Sequence, residues 1–348
     1  MFKENIHIFQ QLGNCLADPQ WVEMTFGTTI ARQYRENSWF TPEFCRYALS
    51  AIGQMLTPEA LDAYYARYKD ITPAVDPRKR VAVISAGNIP MAAFHDFFCI
   101  LVSGNDYQGK LSSQDKYLLP VLAQELVHIE PRFAERIAFV DKVADFDAVI
   151  ATGSNNSARY FDYYFSKYPH ILRKNRNSVA VLDGTETEEE FRHLADDIYL
   201  YFGLGCRSVS KLFVPSHYDF VPFLQILTQE SQPIAQHHQF NNNLEYQKAV
   251  HLMNQIPYMD AGTFLLVENQ NYASPIGMVY YEYYDNIDRV NQRLTDDAEQ
   301  LQCIVSKDPL VTHAVPFGSA QTPTLTDYPD GIDTFQFIIH NSQFTIER

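Results

Sequence analysis

Hydrophobic positions in the first 75 residues recur at helical spacing. Pro42–Leu56 (PEFCRYALSAIGQML) and Pro58–Tyr68 (PEALDAYYARY) open on Pro-Glu, a helix-start signal, and carry apolar residues three and four apart. From Arg80 the pattern changes. RVAVIS (80–85) has the short apolar run of a buried strand, and GNIPMAAFHDFFCILVSG (87–104) predicts a turn followed by an apolar helix. A strand at 107–111, a helix about 114–127 and strands at 135–140 (ERIAFV) and 147–151 (DAVIA) follow, the last leading into TGSNNSARYFDYYF as turn and helix. Strands alternating with helices predict a mostly parallel sheet covered on both faces. Residues 76–178 therefore read as a doubly wound unit of nucleotide-binding character, preceded by a helical region, 1–75.

A second alternating series starts near Ser178 with SVAVL. It runs through a helix at 187–202, a turn holding Cys206, and strands at 210–214, 263–268 (TFLLVE), 278–284 (MVYYEYY) and 303–307 (CIVSK), with a helix at 285–299. This is a second α/β domain, 179–335. The end, DTFQFIIHNSQFTIE, reads as a two-stranded tail around an Asn-Ser turn and predicts a short β tail, 336–348, suited to pairing between subunits of a homo-oligomer.

Composition narrows the partners. The chain has 348 residues, 46% hydrophobic and 14% aromatic, enough for two cores. Its formal charge of −15 excludes nucleic acid as a partner, since that needs clustered Lys and Arg, and disfavours anionic membrane surfaces. Five scattered cysteines without a CxxC pair indicate neither a disulfide framework nor a zinc knuckle and fit a reducing, cytoplasmic setting. The first residues do not resemble a signal peptide, and no apolar run reaches the ~20 residues of a membrane span. The adjacent His237 and His238 diverge in a helix and lack a third ligand at familiar spacing, so no metal site is expected.

Four segments can carry chemistry. Ser85-Ala86-Gly87-Asn88-Ile89-Pro90 lies at a strand-to-helix turn, where Asn88 either caps the next helix or aims its amide at an oxyanion. Lys110, ending the next strand, either is solvated or reaches a ribose or phosphate. Ala151-Thr152-Gly153-Ser154 precedes a helix, whose first-turn N–H groups suit a pyrophosphate, although this is no GxGxxG fingerprint. Cys206 follows Gly203-Leu204-Gly205, which leaves the backbone uncovered and presents a thiolate for attack on a carbonyl. A buried cysteine is ordinarily a small hydrophobe, the reading kept for Cys15, Cys45, Cys99 and Cys303. The aromatic stretches 160–168 and 278–284 read as packing, and Arg173-Lys174-Asn175-Arg176 as a solvated face.

Together AGNIPMAAFHDFF, GKLSSQDKYLLP, ATGSNNSARYF, RKNRNSVAVL, GLGCRSVSKLFVP and VTHAVPFGSAQ…DGID resemble the aldehyde dehydrogenase superfamily, within it the long-chain acyl-CoA reductases of the LuxC type. The resemblance spans about Arg80 to Asp333 and implies an aldehyde-dehydrogenase-like α/β fold of two doubly wound domains, one for the cofactor and one for catalysis. It assigns Cys206 as nucleophile and Asn88 as oxyanion amide. Ser85, Ala86, Gly87, Lys110, Ser113, Gly153 and Ser154 become the cofactor-binding set. Leu172 stands where oxidising members carry the Glu that activates water, and without a base the acyl-enzyme survives to accept hydride. Ser113 stands where NAD-preferring members commonly carry Glu. A Glu would repel a 2′-phosphate that Ser can bond, so NADP(H) is the expected cofactor.

The expected activity is NADPH-dependent reduction of a fatty acyl thioester, such as acyl-CoA, to the aldehyde. Two alternatives remain. One is an aldehyde-oxidising dehydrogenase in which a distant carboxylate such as Asp183 replaces the missing base. The other is an acyl-transfer subunit that has lost the hydride step.

Overall fold

The computed structural model describes residues 2–71, 78–153, 155–307 and 310–341. Its contacts divide the chain into two units, 1–175 with 323–348, and 176–322.

The first unit opens with four helices, α1 (Phe2–Leu16), α2 (Pro19–Glu36), α3 (Pro42–Met55) and α4 (Pro58–Tyr68). Asp18, Thr41 and Thr57 cap the last three, each accepting a first-turn N–H just ahead of a proline. There follow β1 (Arg80–Ile84), α5 (Phe94–Val102), β2 (Asp106–Lys110), α6 (Leu118–Ile129), β3 (Ile137–Phe139), β4 (Ala148–Thr152), α7 (Asn155–Phe165) and β5 (His170–Arg173). The strands form a parallel sheet in the order β3-β2-β1-β4-β5. α5 is apolar apart from His95 and Asp96; Phe97, Phe98, Ile100 and Leu101 are fully buried, with Phe97 and Phe98 edge-on to Phe9 and Phe98 edge-on to Tyr64. This is the helix of a core, not of a surface.

The second unit contains β6 (Asn177–Val181), α8 (Glu188–Tyr199), β7 (Val209–Pro215), α9 (Val221–Glu230), α10 (His238–Asn254), β8 (Met259–Asp260), β9 (Leu265–Glu268), β10 (Met278–Tyr284), α11 (Ile287–Asp296) and β11 (Leu301–Ser306). Its sheet runs β11-β6-β7-β10-β9-β8, parallel except for the β8–β9 pair. The buried Lys211 of β7 donates to Glu282 at 2.5 Å and to the Asn269 carbonyl at 2.8 Å. Burial lowers its pKa against the pull of that carboxylate.

Three expectations are corrected. The described part of the predicted β tail is a helix, α12 (Thr334–Asn341), and residues 342–348 lie outside the described residues. Phe335 and Phe337 imitate a strand's alternation, but the buried set is Phe335, Ile338 and Ile339, spaced three and four apart. Asp333 caps this helix, accepting from Gln336 N–H at 2.9 Å. The helix packs on α5 in the first unit, so 323–335 belongs with that unit and not with the second. Among the described residues this segment holds no strand.

Next, Arg173 is not part of a solvated face. Its guanidinium grips the Asp96 carboxylate of α5 by two hydrogen bonds, 2.6 and 2.8 Å, and donates to Thr334 Oγ1 at 3.0 Å, all fully or nearly buried. Arg176 donates to the Ala298 and Leu301 carbonyls. Last, the 160–168 aromatics do not all pack. Phe165 meets Phe146, but Tyr160, Tyr163 and Tyr164 are exposed.

Removing one partner of a buried ion pair strands the other charge. Asp96→Ala should therefore cost about 3–5 kcal/mol of first-unit stability. Urea unfolding checks this, and a loss within about 1 kcal/mol would mean the pair behaves as a solvated one.

Candidate functional site

In the first unit, Ile84 of β1 pairs with Lys110 of β2 on one side, and with Ala151 of β4 on the other. Strand polarity thus brings Ser85, Ala86, Gly87, Lys110, Ser113 and Gly153 to one carboxyl edge. Ser154 lies outside the described residues. The strand order reverses direction between β1 and β4, and that is the place where open α/β sheets bind ligands. Lys110 and Ser113 are exposed at this edge, and Gly153 N–H is turned back to the Arg173 carbonyl at 3.2 Å. A cation, a hydroxyl and the start of α7 form a donor set that fits an anionic dinucleotide.

The turn 85–93 is pinned to the loop after β2. Ser85 N–H donates to the Lys110 carbonyl at 3.1 Å. A Cβ on Gly87 would stand 2.2 Å from Ser112 Oγ and 2.5 Å from its Cβ, so only glycine allows this approach. Met91, strained at φ 61°, donates its N–H to Asp115 Oδ2 at 2.8 Å. Burial pushes the Asp115 carboxyl up to about 7, against the Met91 N–H. Asn88 stands exposed on the same turn and does not cap α5, whose first turn starts from Ala93 without a side-chain cap.

In the second unit, α8 does not continue to 202 as its sequence predicts. Tyr201, Phe202 and Gly203 are left-handed, with φ of 54°, 57° and 72°, and both rings are buried. Phe202 lies on His237 with ring centroids 4.4 Å apart, and His237 itself caps α10. Two bulky residues in this region cost about 1–3 kcal/mol each and persist only where packing over-determines them. The turn lifts Gly203-Leu204-Gly205-Cys206 out of the helix. Cys206 is exposed, whereas Cys45, Cys99 and Cys303 are buried and Cys15 is half-buried. Burial pushes the Cys45 thiol up to about 12 and that of Cys99 higher still, which keeps both protonated.

Cys206 stands at the amino edge of the second sheet, its carbonyl accepting from Ser178 Oγ at 2.9 Å near the start of β6. Asp183 follows the far end of the same strand, where its carboxyl binds Thr185 and is held below the usual carboxylate range by those hydrogen bonds, against partial burial. At ~3.3 Å per residue the strand sets the two roughly 15 Å apart. Asp183 is therefore not placed to act as a base at Cys206, which corrects that residue's part in the oxidising alternative.

Contacts that no local signal announces tie the Cys206 turn to the loop 317–321. Arg207 donates to the Ala320 carbonyl and to Cys303 Sγ at 3.5 Å, and Gln321 donates to Ser208 Oγ at 3.2 Å. Asp197 of α8, fully buried, accepts from Gly318 N–H at 2.7 Å and Ala320 N–H at 2.9 Å. Burial raises its pKa to about 7 despite these donors. Among the described residues no cluster of three or more His, Cys, Asp or Glu could hold a metal, and no helix is long and apolar enough to cross a membrane.

The model of the family described as acyl-CoA reductase (LuxC) matches residues 43–304. No curated protein matches the chain. Among solved structures, it is similar to aldehyde dehydrogenase 21 from Physcomitrella patens in complex with the reaction product succinate. That match has TM-score 0.67 at 13% identity, over 98% of this chain and 84% of that one. It is also similar to a mutant of the P. syringae indole-3-acetaldehyde dehydrogenase AldA in complex with NAD+ and IAA. There the TM-score is 0.62 at 15% identity, covering 90% of this chain and 73% of the other. The fold is that of the aldehyde dehydrogenases.

Two outcomes follow. Gly87→Ala should destabilise the first unit by about 1–3 kcal/mol through overpacking, partly recovered by Ser112→Gly, as read by thermal unfolding. Because Asp115 holds its proton in the native state up to about 7 while the unfolded chain releases it near ~4, its stabilisation is full below the lower value and lost as pH rises to the upper. Urea midpoints across that window should fall in the wild type and fall less in Asp115→Asn, and equal slopes would remove Asp115 as the source.

Proposed function

From the chain's membership of the acyl-CoA reductase (LuxC) family, we propose that it reduces a fatty acyl thioester to the aldehyde with NADPH, through an acyl-cysteine on Cys206. The observation that carries this reading is the single exposed thiol, raised on a strained left-handed turn while the four other cysteines are withdrawn from solvent or partly so. Strain at a defined segment is characteristic of sites that must present one group.

The Cys206 thiolate adds to the thioester carbonyl, and the Asn88 amide and the Cys206 N–H donate to the oxyanion. The bond from the acyl carbon to the coenzyme A sulfur breaks, and the thiolate leaves. Ser85, Ala86, Gly87, Lys110, Ser113, Gly153 and Ser154 would hold the dinucleotide, whose nicotinamide would supply hydride. NAD+ in the AldA complex supports a nicotinamide cofactor, and Ser113 in place of a carboxylate favours the 2′-phosphate form. With Leu172 where a base would stand and Asp183 at the far edge of its sheet, water lacks help in discharging the acyl group. That favours reduction over oxidation and over simple hydrolysis.

The test is intact-mass spectrometry after incubation with a long-chain acyl-CoA. An acyl adduct should form on Cys206, disappear on adding NADPH with release of aldehyde, and be missing in Cys206→Ala. An unlabelled Cys206 after prolonged incubation would sink the proposal. An adduct that NADPH leaves in place would point to an acyl-transfer subunit.

A further inference from the structure

We propose that Asp197 is a positioning residue for Cys206, acting on it through the Ala320 peptide groups and the Arg207 guanidinium. The inference rests on the reading of Cys206 as nucleophile. Ala320 is held at both ends. Its N–H donates to Asp197 Oδ1 at 2.9 Å, and its carbonyl accepts from Arg207 Nε. A buried carboxylate and a guanidinium thus polarise one residue from opposite sides, an arrangement in which each hydrogen bond strengthens the other.

The second Asp197 oxygen takes Gly318 N–H at 2.7 Å, so the carboxylate fixes the loop in two places. Arg207 is the residue after Cys206, and it also donates to Cys303 Sγ on β11. Gln321 holds Ser208 two residues beyond the nucleophile. On its other side the turn is fixed by Ser178 Oγ at the Cys206 carbonyl. With the loop in place, the residue after Cys206 is anchored to the Ala320 carbonyl, and the turn holds the thiol in its exposed position. With Asp197 gone, Gly318 and Ala320 lose their acceptor, the loop loosens and the guanidinium loses its anchor.

A side chain that merely filled space in α8 would not be coupled to Arg207. The experiment measures the rate of iodoacetamide alkylation at Cys206 in the full chain, by peptide mass spectrometry. The variants are Asp197→Asn, Arg207→Gln, the double variant and Arg207→Lys. Each of the first two should slow alkylation about tenfold, the scale of a hydrogen bond to a charged group. The double variant should be no slower than the slower single one, because both act along one path. Arg207→Lys should recover part of the rate.

Rates within about twofold of wild type, or losses that multiply in the double variant, would overturn the inference. If Asp197→Asn does not fold, Arg207→Gln against Arg207→Lys decides, equal rates counting against it. A wild-type Cys206 that alkylates readily yet is never acylated by acyl-CoA would instead refute the reductase reading, so the two failures are separable.

Discussion

Strand polarity governs what each part of this molecule can do. In a parallel sheet every strand ends at the same edge, so the loops after β1, β2 and β4 meet although the ends of β1 and β4 are far apart along the chain, at Ile84 and Thr152. The same rule acts in the second unit with the opposite result for its two candidate groups. Cys206 precedes β7 and stands beside the start of β6, whereas Asp183 follows the end of β6. A carboxylate that sequence alone leaves available to the thiol is thereby removed by the length of a strand. Connectivity, not attraction, makes that decision.

Holding such loops in place needs groups that water would otherwise solvate. Asp115 accepts the N–H of the strained Met91, and Asp197 accepts two N–H groups of the loop 317–321. Both carboxyls are buried, and in both burial outweighs the donors and lifts the pKa to about 7. A buried acceptor is costly, but it fixes backbone geometry that apolar packing would leave free to slide. The Asp96–Arg173 pair plays the corresponding part beneath β5, joining α5 to the end of that strand and, through Thr334, to α12.

The left-handed run at 201–203 shows how packing overrules local preference. Tyr and Phe disfavour this conformation, yet Phe202 adopts it and packs against His237 and Phe240. The strain is supported by burial of both rings. What emerges is an exposed thiol at the end of a rigid lead-in.

Much of the architecture was legible along the chain. The apolar runs at 80–85, 147–151 and 178–182 read as strands of a covered sheet and the Pro-Glu pairs at 42–43 and 58–59 as helix starts, because burial and capping act through near neighbours. The segment around Cys206 was equally conspicuous for its glycines. By contrast, the helix at 334–341, the burial of Arg173 and the distance of Asp183 from Cys206 depend on residues that meet only after the sheets form. Phe335 and Phe337 alternate as in a strand, yet Phe335, Ile338 and Ile339 are buried on one face of a helix that packs on α5, with Phe335 against Phe2, Tyr64 and Tyr68. An arginine in a basic run looks solvated until a carboxylate 77 residues away is folded against it. Periodicity is a property of the chain, whereas partnership across it belongs to the folded molecule, since the energy of a buried polar group is set by whichever group faces it.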